Sequence, residues 1–84
     1  MNQHIENNQV QNIVQFKQVY KDQVQKLVHI RNEAGVTQEF MADWFGVDRR
    51  KIIAFEKLKK INLELLLLYA DKFDTEIKLN CINH

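Results

Sequence analysis

From Asp22 onward the apolar positions recur at helical spacing. Val24, Leu27 and Val28, followed by Arg31, fall three or four residues apart and so share one face of a helix. Asp22 is a suitable N-cap for that helix, and Gly35 a suitable terminator. A second, short helix is expected after Thr37, with Gln38 and Glu39 in its first turn and Gly46 at its end. Asp48 then caps a third helix running from Arg49 to about Lys57, with Ile52 and Phe55 facing inward. A basic loop, Leu58 to Ile61, leads to a fourth, from Leu63 to about Phe73, with Asn62 as its cap.

The two ends of the chain do not follow this rhythm. Residues 1–9 are rich in Asn and Gln and are expected to fray. Residues 10–21 suit either a helical stripe (Val10, Ile13, Val14, Lys17, Tyr20) or a short extended segment, and periodicity does not choose between them. The tail from Glu76 to Ile82 alternates Ile77, Leu79 and Cys81 with Lys78 and Asn80, which is a strand period. A lone strand leaves its backbone unpaired, so the tail needs either residues 14–20 or the tail of a second copy. The fourth helix carries Leu63, Leu65, Leu66, Leu67, Leu68 and Tyr69, more than one buried face uses, which also points to a dimer. The expected fold is mostly α: four helices and a short C-terminal β-strand pairing across a dimer. Residues 1–21 would be an extension, partly disordered and partly packed on the domain. Residues 22–73 would form the domain itself, and 74–84 the dimerisation tail.

Composition narrows the chemistry. At 84 residues there is room for one small domain, and 45% hydrophobic with 27% charged residues suits a globular one. There is no serine or proline and there are only two glycines, so neither a serine triad nor a glycine-rich phosphate loop is available. Cys81 is the single cysteine, and His4, His29 and His84 stand too far apart for a ligand set. No catalytic residue, metal or cofactor is expected. The polar N-terminus is unlike a signal peptide, and the apolar run Leu65 to Ala70 is too short to cross a bilayer. A cytoplasmic protein without a membrane segment is expected.

The net charge of +1 conceals an uneven distribution. Residues 49–60 hold Arg49, Arg50, Lys51, Lys57, Lys59 and Lys60 against Glu56 alone, a local charge of +5, while the remainder of the chain carries −4. Two short helices separated by Gly46–Val47, the second opening on Arg49, Arg50 and Lys51, have the layout of a helix-turn-helix. In such a unit the first turn of the second helix meets base edges in the major groove, where an arginine fork matches guanine O6 and N7. Lys57, Lys59 and Lys60 would follow the phosphate backbone.

Residues 22–73 resemble the XRE/Cro family of phage-repressor-type helix-turn-helix domains, whose fold is the lambda-repressor-like one. The likeness rests on Arg31, Gly35, Thr37-Gln38, Met41-Ala42, Phe45-Gly46-Val47, Ile52 and Phe55-Glu56, at family spacing. It implies double-stranded operator DNA as partner and a DNA site of Thr37, Gln38, Asp48, Arg49, Arg50, Lys51, Lys57, Lys59 and Lys60. In that site Gln38 would touch phosphate and brace the recognition helix, and Arg49 and Arg50 would read bases. It also implies a structural ion pair between Arg31 and Glu56. The entry segment Phe16-Lys17-Gln18-Val19-Tyr20 and the fourth helix running into a strand resemble HipB-like antitoxins, which implies a self-repressing homodimer and a HipA-like kinase toxin as partner. Asp48 and the pair Arg49-Arg50 depart from the family pattern, and so do Phe40, Trp44 and Ile53, which stand where polar residues are usual. These three apolar residues would be covered by residues 10–20 or would form a partner surface; Ile77 and Leu79 complete the expected partner or dimer surface.

Overall fold

The computed structural model describes the backbone of residues 2–78 and the side chains of residues 12–78. Four α-helices follow one another: α1 (Asn2–Glu33), α2 (Gln38–Phe45), α3 (Arg49–Glu56) and α4 (Leu63–Lys72). The described residues are otherwise turns and irregular segments.

The first helix departs most from expectation. It does not begin at Asp22: one unbroken helix takes in both the stretch expected to fray and the ambiguous stretch 10–21. Asp22 lies in mid-helix, where its carboxylate accepts a hydrogen bond from Gln18 Nε2 at 3.0 Å. The reason is an absence of stops. No glycine or proline occurs before Gly35, so nothing interrupts the backbone ladder, and scattered valines each cost only tenths of a kcal/mol. Thirty-two residues at about 1.5 Å each give a rod of about 48 Å, which sets the 51 Å long axis of the molecule.

The core forms where the second half of this rod meets the other helices. Tyr20, Val24 and Leu27 of α1 are buried at the expected spacing, against Met41 and Ala42 of α2, Ile52 and Phe55 of α3, and Leu65, Leu66, Tyr69 and Ala70 of α4. α2 packs on α3, while α1 reaches both α3 and α4. Tyr69 is the hub, with its ring centroid 4.8 Å from Phe55, 5.8 Å from Phe45 and 6.3 Å from Phe73. Each fully buried side chain of this size contributes roughly 1.5–3 kcal/mol.

The helix caps follow the sequence. Thr37 Oγ1 accepts from the Phe40 N–H, Asp48 Oδ1 from the Arg50 N–H and Asn62 Oδ1 from the Leu65 N–H, at 3.0, 2.7 and 3.0 Å. α1 and α2 end on left-handed glycines, Gly35 (φ 72°) and Gly46 (φ 67°). α3 and α4 use the same turn without glycine. Leu58 (φ 62°) and Asp74 (φ 50°) take the left-handed position, and the following N–H groups of Lys59 and Thr75 return to Ala54 and Ala70. A leucine there costs about 1–2 kcal/mol; its side chain is half-buried against the core, which offsets the strain.

The expected C-terminal strand does not form among the described residues. Of that stretch only Glu76–Lys78 are described, and Ile77 is half-buried against the core of its own domain. Leu79 and Cys81 lie outside the described residues.

Candidate nucleic-acid interface

The site is built on α3, and α3 is held from behind by one carboxylate. Glu56 is the last residue of the helix, where the helix dipole disfavours a negative charge. Its two oxygens are accordingly saturated. Oε2 accepts from Arg31 Nε at 2.7 Å and from the Tyr69 hydroxyl at 2.6 Å. Oε1 accepts from Arg31 Nη2 at 2.8 Å and from Gln38 Nε2 at 3.0 Å. Arg31 also donates Nη1 to the Val36 carbonyl at 2.6 Å. One residue from each helix therefore meets at a single buried point. Desolvation, reinforced by the bond to Glu56, pushes the Tyr69 phenol far above its ordinary value, so it stays a donor.

The opposite end of α3 faces outward. Arg49, Arg50 and Lys51 are all exposed in its first turn. Asp48 caps the helix and also takes Arg50 Nε at 3.2 Å and Nη2 at 3.1 Å, so this arginine is folded back over the helix start. The bonds from Arg50 hold the Asp48 carboxyl below the usual carboxylate range. Arg49 and Lys51 have no such partner among the described residues. Lys57, Lys59 and Lys60 are exposed at the other end of α3 and in the loop beyond. A groove of about 320 Å³ between Lys51, Ala54, Lys59, Lys60 and Asn62 connects the two basic clusters.

The remaining predicted site residues divide. Thr37 is used as a cap, and half-buried Gln38 donates its amide N–H to Glu56, tying α2 to α3. Phe40 and Trp44 are not covered by residues 10–20, which run on as helix; they stay 45% and 61% exposed. Their rings stack at 5.8 Å, and Lys72 at the end of α4 places its ammonium 3.7 Å from the Trp44 centroid and 5.1 Å from that of Phe40. That cation–π contact holds the pair as a fixed plate. Ile53 is half-buried on α3, outside this stack. Sequence reasoning missed Lys72, Tyr69 and the α1 lysines Lys17 and Lys21, which stand against the loop lysines. Only the four-residue spacing of Lys17 and Lys21 could have signalled them.

No family model, curated protein or solved structure matches the chain. No helix of the described residues is long and apolar enough to cross a membrane, α1 included.

Proposed function

We propose that this protein is a sequence-specific DNA-binding repressor that acts as a homodimer and not as an enzyme. In this reading α2 and α3 are the two helices of a helix-turn-helix in a lambda-repressor-like domain, and α3 enters the major groove. The carrying observation is the pairing of a rigid rear with a free front. The Glu56 cluster fixes α3 to the other three helices, while Arg49 and Lys51 project unpaired from its first turn. A base-reading helix needs both, because a side chain that discriminates by hydrogen bonds must start from a defined position. Arg49 is the principal reader, Arg50 a second once Asp48 releases or orients it, and Lys51, Lys57, Lys59 and Lys60 bind phosphate. The exposed Leu63 and Leu67 of α4 support a dimer contact. Two subunits would then reach half-sites about 34 Å apart.

The test is fluorescence anisotropy with duplexes from the region upstream of the protein's own gene. Arg49→Ala should lose about 1–3 kcal/mol of discrimination between the preferred duplex and a scrambled one. Lys59→Ala should weaken both alike. Equal losses on both duplexes from Arg49→Ala would remove the reader assignment.

One observation favours an additional role. The exposed Phe40–Trp44 plate supports a protein partner, and the resemblance to HipB-like antitoxins makes that partner a HipA-like kinase toxin. Trp44→Ala should then abolish association with a kinase encoded beside this gene while DNA binding persists.

A further inference from the structure

The basic face does not stop at the loop after α3. A second concavity, of about 360 Å³, lies where α1 crosses that loop. Its rim carries Lys17 and Lys21 of α1 together with Lys59 and Lys60, and its floor is Tyr20 and Ile61. Neither this concavity nor the groove beside α3 has a carboxylate in its lining, and the two share Lys59 and Lys60 as a common wall. The lysines thus form one continuous track from Lys51 in the first turn of α3, across the loop, to α1. Four ammonium groups around one hollow repel each other unless an anion enters, so the hollow concentrates positive potential.

We propose that the middle of α1 carries a second contact site for the phosphodiester backbone of duplex DNA, formed by Lys17 and Lys21 with Lys59 and Lys60. The inference rests on the DNA-binding reading above and extends its footprint beyond α3. Two features make the hollow a fixed site. Lys17 and Lys21 lie four residues apart on a helix and so share a face. The Tyr20 hydroxyl accepts the Asn62 N–H at 2.8 Å, pinning the loop to α1. The floor matches the ligand as well: phosphate oxygens meet the ammonium rim while the sugar lies against the exposed Ile61 side chain. Duplex DNA is favoured over a free phosphate compound because the track continues without a break to the base-reading turn.

The test uses the full chain with Lys17→Gln/Lys21→Gln, a change that keeps the helix because glutamine is nearly as good a helix former as lysine. Affinity for a labelled mixed-sequence duplex is followed from 50 to 200 mM KCl, beside wild type, Lys59→Gln and Lys26→Gln, whose lysine lies on α1 away from the hollow. The double variant should bind about tenfold or more weakly near 0.1 M salt, and its log–log salt slope should fall by up to about 2, without altered sequence preference. Lys26→Gln should match wild type. A double variant with the wild-type slope, while Lys59→Gln lowers it, would overturn the α1 site and leave the DNA reading intact. Wild-type protein that binds no duplex would overturn both. Loss in the double variant of binding to inorganic polyphosphate alone, with duplex binding untouched, would assign the hollow to free polyphosphate and overturn the DNA contact.

Discussion

Two acid–arginine pairs lie at opposite ends of α3 and share a chemistry but not a role. At the C-terminal end Arg31 and Glu56 are 8% and 5% exposed, with every oxygen of the carboxylate in use. At the N-terminal end Arg50 and Asp48 are 90% and 56% exposed. Burial separates them. Taking two charges out of water is costly, and the cost is offset only when all hydrogen bonds are made, so the inner pair works as a rigid structural unit. Water screens the outer pair, which contributes little to stability and leaves its arginine free to exchange one anionic partner for another. In the DNA-binding reading proposed above, a backbone phosphate or guanine acceptor would be such a partner. One helix is thus locked at its rear and adjustable at its front.

That contrast can be broken from either side. The largest effect is expected from Arg31→Ala, which strands a buried carboxylate. Chemical denaturation should show a loss of about 3–5 kcal/mol, and a loss below about 1 kcal/mol would mean that Glu56 is not confined as described. Tyr69→Phe keeps the packing and removes one bond to the same charge, for an expected loss of about 1.5–3 kcal/mol. Asp48→Ala, in the outer pair, should cost about 1 kcal/mol, nearly all of it from the lost cap. Asp48→Asn retains a capping oxygen and should cost only a few tenths, while releasing Arg50 and tightening DNA binding at low salt. If Asp48→Asn instead lowered duplex affinity, Asp48 would be orienting Arg50 and not restraining it.

The smallest and most diagnostic contrast lies in pH dependence. The Asp48 carboxyl titrates below its ordinary value of 3.8, so its contribution is present above that pH and is lost as pH falls through the lower, folded value. The Tyr69 phenol titrates above its ordinary value of 10.0. Its contribution is complete below that pH and is lost as pH rises toward the folded value. Stability profiles should therefore become less acid-sensitive in Asp48→Ala and less alkaline-sensitive in Tyr69→Phe, where the Tyr20 phenol, also raised by burial, keeps part of the alkaline limb. An alkaline limb unchanged in Tyr69→Phe would show that the phenol is not held as a donor to Glu56.

Much of the domain could be read from the chain alone. Short-range features carried it: the Val24–Leu27–Arg31 stripe, the caps Thr37, Asp48 and Asn62, and the stops at Gly35 and Gly46 all depend on residues within one or two turns. The start of α1 was misread because Asp22 has the chemistry of a cap, yet a cap matters only where a helix begins, and nothing upstream ends one. The tail depends on a strand neighbour that its own residues do not supply, and of the expected strand only Glu76–Lys78 lie among the described residues, with Ile77 partly buried against the core. The inner ion pair was anticipated by the family resemblance, whereas its bonds from Tyr69 and Gln38 were not.

What the sequence by itself determined is therefore the local design: four helices, three of them with their N-caps, a basic segment at residues 49–60, and an apolar set sufficient for one small core. Those properties arise from spacing and from hydrogen bonds that span only a few residues. Tertiary structure alone decided which charges count. It buried Glu56, the only acid of the basic segment, against Arg31, and so removed it from the surface balance. It brought Lys17 and Lys21 beside Lys59 and Lys60, some forty residues away, although both belong to the part of the chain whose net charge is negative. Electrostatic potential depends on distance in space and on exposure to water, and neither quantity is written in a linear count of charges.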